Sequence, residues 1–111
     1  MPKRPTRTLF EMHAQVCQAL ANPKRLEILD ALRDGERSVG QLTATLAVRK
    51  ANVSQHLAML RAKGIVVSRR DGQTVYYRLS TPRVIQACDI MRQVLLERLA
   101  QSGRLVRMAR G

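Results

Sequence analysis

Along the chain the apolar positions recur at helical spacing, switch once to an alternating pattern, and return to helical spacing. Leu9, Phe10, His13, Val16, Cys17 and Leu20 share one stripe, which predicts a first helix from Leu9 to Ala21. Asn22-Pro23 then reads as an N-cap followed by proline at the first helical position, where the missing N–H does no harm. The second helix runs to about Arg33, with Leu26, Ile28, Leu29 and Leu32 inward, and Asp34-Gly35 ends it. Ser38 and Gln41 have the spacing of a capping box, opening a short third helix with Val39, Leu42 and Leu46 inward. Only Ala47 to Arg49 separate it from a fourth helix. Two helices joined by so short a turn form a helix-turn-helix.

On the fourth helix, an advance of about 100° per residue places Leu57 and Leu60 close to Val53 in a narrow core stripe. Ala51, Gln55, Met59 and Ala62 point the other way, with Asn52 and Ser54 on the flanks and His56 near the core edge. After Gly64 the period becomes that of strands. Ile65 to Arg70 and Thr74 to Leu79 are β-rich and joined around Asp71-Gly72, a strong hairpin signal. Thr81-Pro82 caps a last helix reaching about Gln101, whose stripe is Val84, Cys88, Met91, Leu95 and Leu99. The order is α-α-α-α-β-β-α. The expected class is mainly α (α+β), a winged helix-turn-helix with an additional helix at each end. The domain spans residues 9–101, between basic tails at 1–8 and 102–111.

Charge sharpens the picture. The 111 residues hold 20 Lys and Arg against 8 Asp and Glu, a formal charge of +12. Such an excess favours a polyanionic partner. A chain of this length suits one small domain, and burial against a second copy would help its thin core. No apolar run approaches the length of a membrane span, and no secretion signal opens the chain. Two cysteines 71 positions apart make no disulfide framework, so the reducing cytoplasm is the expected compartment.

A helix entering the major groove must be slim and carry short polar side chains that reach base edges. Its first turn should offer cations and free N–H groups to phosphate. The stretch from Arg49 to Arg61 meets these requirements. Arg49 and Lys50 supply the cations; Asn52, Ser54 and Gln55 can bond base edges, with Ala51 between them. His56 belongs to the same row but reads first as a structural residue. Arg69, Arg70 and Gln73 make the hairpin a basic wing suited to the DNA backbone. Each feature has a plainer explanation: polar helix faces are ordinarily just solvated, and a basic hairpin tip protects a sheet edge. Their conjunction on consecutive elements of a strongly positive chain favours DNA.

LANPKRLEILDAL, SVGQL, VSQHLAMLRAKGIV and RRDGQTVYYRL together resemble the ArsR/SmtB family of bacterial winged-helix repressors. The resemblance covers roughly Val16 to Leu79. It implies a homodimer built from the first and last helices, bound to an imperfect inverted-repeat operator in double-stranded DNA and released by an inducer. It also implies that Lys50, Ala51, Ser54 and Gln55 face DNA. Many relatives cap this helix with serine, where Arg49 stands here. The CxC pair of arsenic-type members is replaced by Ser38 and Gly40. The last helix offers Cys88, Asp89 and Glu97 but no histidine for a zinc-type site. The two-cysteine persulfide pattern is at best half met, since Asp30 lies near the place of the first cysteine.

What remains for sensing is Cys17 and Cys88, with His13 one turn before Cys17 at a spacing that can present two ligands on one face. Three readings stand. The cysteines are packing residues; or they form a redox or persulfide switch; or, with His13, they take a soft metal or arsenical. No resident cofactor is expected. No nucleophile elbow, metal-ligand cluster or glycine-rich phosphate loop suggests an enzyme. The rival to a sequence-specific regulator is a non-specific nucleic-acid-binding architectural protein, which charge alone would serve. Three aromatic residues are too few for a base-stacking platform.

Overall fold

The computed structural model describes residues 6–103. It divides between Thr81 and Pro82 into two compact units.

In the first unit, α1 spans Arg7–Leu20 and begins two residues before the expected Leu9, because the Thr6 hydroxyl accepts the N–H of Leu9 at 3.3 Å. Asn22 opens α2 (Pro23–Ala31) by accepting the N–H groups of Lys24 at 2.9 Å and Arg25 at 3.2 Å. This helix ends short of the expected Arg33, with Leu32 already its C-cap. The Arg25 guanidinium reaches back from α2 and donates through Nε to the Ala19 carbonyl at 2.6 Å. It satisfies an orphan carbonyl at the end of α1 and ties the two helices at their corner.

Ser38 and Gln41 form the expected capping box at the start of α3 (Val39–Leu46), with reciprocal bonds of 3.1 and 2.8 Å. The next helix, α4 (Lys50–Ala62), buries Val53, Leu57 and Leu60 completely, as its periodicity predicts. It ends in a Schellman motif: Ile65 N–H bonds the Leu60 carbonyl and Gly64 N–H bonds the Arg61 carbonyl, both at 3.0 Å. Gly64 takes φ +71° there, and Ile65 and Leu60, the positions where this motif commonly places an apolar contact, are both buried.

The sheet departs from expectation. A short strand, β1 (Arg37–Ser38), joins the hairpin of β2 (Val66–Asp71) and β3 (Thr74–Leu79), giving the antiparallel order β1-β3-β2. The order of elements is therefore α-α-β-α-α-β-β-α. Two residues, one of them arginine, carry no alternation of their own; the strand exists because β3 offers a free edge. The hairpin pairs Asp71 with Thr74 across Gly72-Gln73, so its tip lies one residue later than expected. Gly72 adopts φ +62° at the first central position, where a II′ turn calls for glycine.

The second unit contains α5 (Arg83–Gln101). Its N-cap position is Pro82, with no side-chain cap, rather than Thr81 as expected. Ile85 and Cys88 are buried, while Met91 and Leu95 of the predicted stripe are 62% and 51% exposed. Most of the first helix's predicted stripe is likewise uncovered: Leu9, Phe10, His13 and Cys17 are exposed, and Val16 and Leu20 are half-buried. No described helix is long and apolar enough to cross a membrane. Of the basic tail residues, Lys3, Arg4, Arg104, Arg107 and Arg110 lie outside the described residues.

Candidate nucleic-acid interface

The turn between α3 and α4 is Ala47, Val48 and Arg49, as the spacing predicts. It works through a left-handed residue: Ala47 takes φ 52°, ψ 41°, the only non-glycine residue with positive φ among the described residues. Arg49 then occupies the N-cap of α4 and makes no side-chain capping bond. Among the described residues α4 is the only helix of the first unit without a side-chain cap, since Thr6, Asn22 and Ser38 serve the other three. As in the other helices of this unit, its first turn holds no acidic residue, and it begins with Arg49 and Lys50. Cations beside the positive pole of a helix dipole disfavour the helix. The same arrangement suits an arriving phosphate. Sequence features that weaken an element locally are expected where it binds.

Arg49, Lys50, Ala51, Asn52, Ser54 and Gln55 are all exposed. Beyond the first turn the outward side of α4 continues through Ala58 and Met59 without charge as far as Arg61. His56 is half-buried, and burial, with the charge of Arg25 adding to it, holds its pKa below the usual histidine range.

The wing arginines differ sharply. Arg69 lies opposite Tyr76 in the β2–β3 ladder, with its guanidinium carbon 4.7 Å from the ring centroid. It also forms a two-pronged pair with Glu36, donating through Nε to Oε2 at 2.8 Å and through Nη2 to Oε1. That hydrogen-bonded guanidinium lowers the Glu36 pKa against an opposing push from desolvation, and its charge and that of Arg78 lower it further. Arg70 is exposed and has no hydrogen bond or ion pair to any described residue. Of the two, Arg70 is the open charge.

Lys50 and Gln73 come together on one cleft of about 370 Å³, shared by the starts of α3 and α4 and the hairpin. Ser38, Val39, Gly40, Thr74 and Val75 complete its lining. Thr74 and Glu36 were absent from the sequence-based candidates. Thr74 directly follows a predicted site residue, and that adjacency is the only signal that could have found it. Nothing in the sequence pairs Glu36 with Arg69, 33 positions away.

Both cysteines are thiols; Cys17 is exposed and Cys88 buried. They belong to different units. His13 is exposed on α1, one turn from Cys17. Among the described residues no group of three or more His, Cys, Asp or Glu side chains could hold a metal ion.

A family model described as bacterial regulatory protein, arsR family, matches residues 22–68, from the cap of α2 into β2. The uncharacterized HTH-type transcriptional regulator Rv0081 of Mycobacterium tuberculosis is 35% identical over 88 residues, 78% of this chain and 77% of that protein. Its crystal structure superposes with a TM-score of 0.78 at 33% identity, covering 87% of this chain and 98% of that one. The transcriptional activator HlyU of Vibrio cholerae is 42% identical over 77 residues, 69% of this chain and 71% of its own. A solution structure of the homodimeric winged helix-turn-helix DNA-binding domain Mb0332 of Mycobacterium bovis matches with a TM-score of 0.78. Its identity is 33%, over 91% of this chain and 95% of that one. With a winged helix-turn-helix assembled from the same elements, the chain belongs to the arsR family of bacterial regulatory proteins.

Proposed function

We propose that this protein is a cytoplasmic homodimer that regulates transcription by sequence-specific binding to an inverted-repeat DNA operator, acting as a repressor, and that it is a binding protein rather than an enzyme. The observation that carries this is α4: an uncapped, cationic first turn that leads into an exposed, nearly uncharged face. Ser54 and Gln55, with Asn52, Ala51 and the edge residue His56, read bases. Arg49, Lys50, Arg70 and Gln73 hold the backbone, with Arg69 beside them on the wing.

Dimerisation answers the uncovered apolar surface. Leu9, Phe10 and Met12 of α1 are 52–58% exposed, and Ile90, Met91, Val94, Leu95 and Leu96 of α5 are 46–62% exposed. Full burial of each such side chain is worth about 1.5–3 kcal/mol. Two-fold pairing would set two reading helices about one DNA turn apart, roughly 34–36 Å. Release by an inducer follows the notion of thiol modification only through Cys17, which is exposed; the buried Cys88 fits packing.

The test compares binding to the gene's own upstream region with binding to scrambled DNA at moderate salt. Gln55→Ala should weaken operator binding by about 1–3 kcal/mol and leave scrambled DNA nearly unaffected, as a base contact does. Arg70→Ala should weaken both and flatten the salt slope by about 0.9. Equal binding of both DNAs would favour the architectural reading, and a stable monomer in ultracentrifugation would remove the dimer.

A further inference from the structure

Arg69 and Arg70 are neighbours on one strand, yet only one of them is available. Successive side chains in a strand point to opposite faces. Arg70 shares its face with Val75, its cross-strand partner, and has no described partner for its charge. Arg69 shares its face with Tyr76 and is held on two sides, by the ring below the guanidinium and by both carboxylate oxygens of Glu36. Glu36 itself precedes β1, the strand that pairs Arg37 with Tyr77 and Ser38 with Tyr76. The carboxylate is therefore delivered to the wing by the same short ladder that attaches the wing to the start of α3. We propose that Glu36 is a positioning residue for DNA binding: it keeps the Arg69 charge off the phosphate backbone, so that the wing offers one open cation instead of two.

The proposal rests on the reading of the wing as a DNA-contacting element and deepens it. Backbone contacts raise affinity for every sequence alike, whereas base contacts separate operator from random DNA. A protein that withholds one wing cation lowers its affinity for every sequence and leaves the choice between sequences to the base contacts of α4. The pair is half open to solvent, with side chains 53% and 33% exposed, so the guanidinium lies within reach of a phosphate once its partner is lost. A glutamate carboxylate is ionised at neutral pH in any case, and the Arg69 hydrogen bond lowers the Glu36 pKa further. Glu36→Gln preserves an acceptor of similar shape and removes the charge that holds Arg69.

The experiment measures affinity for a scrambled duplex and for the upstream region across a salt series, with the full chain and three variants. Glu36→Gln should bind scrambled DNA more tightly than the parent. Its salt slope should steepen by about 0.9, the increment of one more neutralised phosphate. Its advantage should then shrink about 3.5-fold as salt rises from about 50 to 200 mM. Affinity for the upstream region should rise by the same factor, so the ratio of operator to scrambled affinity should stay at the parent value. Glu36→Gln/Arg69→Gln should return to the parent slope, since the released cation is gone.

A parent slope in Glu36→Gln, or the same change in the double variant, would overturn the proposal. Thermal melts report whether each variant folds. If Glu36→Gln does not, Arg69→Gln decides: a parent-like slope supports the proposal, and a loss of about 0.9 overturns it. A parent that binds no duplex overturns the DNA reading and this inference together; a binding parent with indifferent variants overturns this inference alone.

Discussion

Replacing Ala47 by glycine should stabilise the protein. Ala47 ends α3 with φ 52° and ψ 41°, inside the left-handed region, while its N–H still bonds the Thr43 carbonyl at 3.0 Å. For an L-residue that conformation costs about 1–2 kcal/mol, because Cβ crowds the following carbonyl oxygen. Glycine removes the penalty but brings a more flexible unfolded chain, which takes back about 0.4–1 kcal/mol. Ala47 is exposed, so little buried surface is lost with its methyl group. The net gain is about 0.5–1 kcal/mol, equivalent to roughly 2–6 °C in the thermal midpoint of a domain this size. Urea denaturation and a thermal melt, at fixed protein concentration, measure it directly. An unchanged or lowered midpoint would refute the strain argument and show that the surrounding turn already absorbs the distortion. Because this residue lies in the turn between α3 and α4, operator affinity should be measured on the same variant.

Gly64→Ala is the converse test: Gly64 sits at φ +71° with open space where a Cβ would go, so its penalty is purely conformational. It should cost about 0.5–1 kcal/mol by the same reasoning, and combining it with Ala47→Gly should nearly restore the parent midpoint in a melt. His56 supplies a pH test, since its folded pKa is lowered, first by burial and then by Arg25, below the ordinary value of about 6.5. The unfolded chain therefore binds the proton more readily: this contribution to stability is complete above about pH 6.5 and is lost as pH falls from there through the folded pKa. Midpoints measured from neutral to mildly acidic pH should fall less steeply for His56→Gln than for the parent, and parallel curves would exclude His56 as the cause.

The elements read most readily from sequence are those held by neighbours in the chain. Asn22, Ser38 and Gln41 satisfy N–H groups two or three residues away, so their caps follow from spacing alone. Val53, Leu57 and Leu60 repeat at the helical period, and the same spacing that buries them turns Asn52, Ser54 and Gln55 outward. The three-residue turn and the hairpin glycine are equally local. Much of the candidate reading surface was legible for this reason, since its residues lie consecutively on one helix.

Contacts between distant segments left no such trace. β1 forms only because the edge of β3 reaches Arg37 and Ser38, and two residues cannot show a period. Arg25 looks like any solvated arginine until the end of α1 places the Ala19 carbonyl against it. The apolar stripes of α1 and α5 were visible, but which of their residues one chain leaves uncovered depends on packing: Ala19 is buried while Phe10 is 57% exposed. The wing shows the limit most clearly. Sequence determined that two arginines precede the hairpin turn and that the chain carries excess positive charge; alternation along a strand says only that they face opposite ways. Tertiary structure decided which one is engaged, because the guanidinium of Arg69 is paired with a carboxylate 33 residues away, brought within hydrogen-bonding distance by the folded sheet.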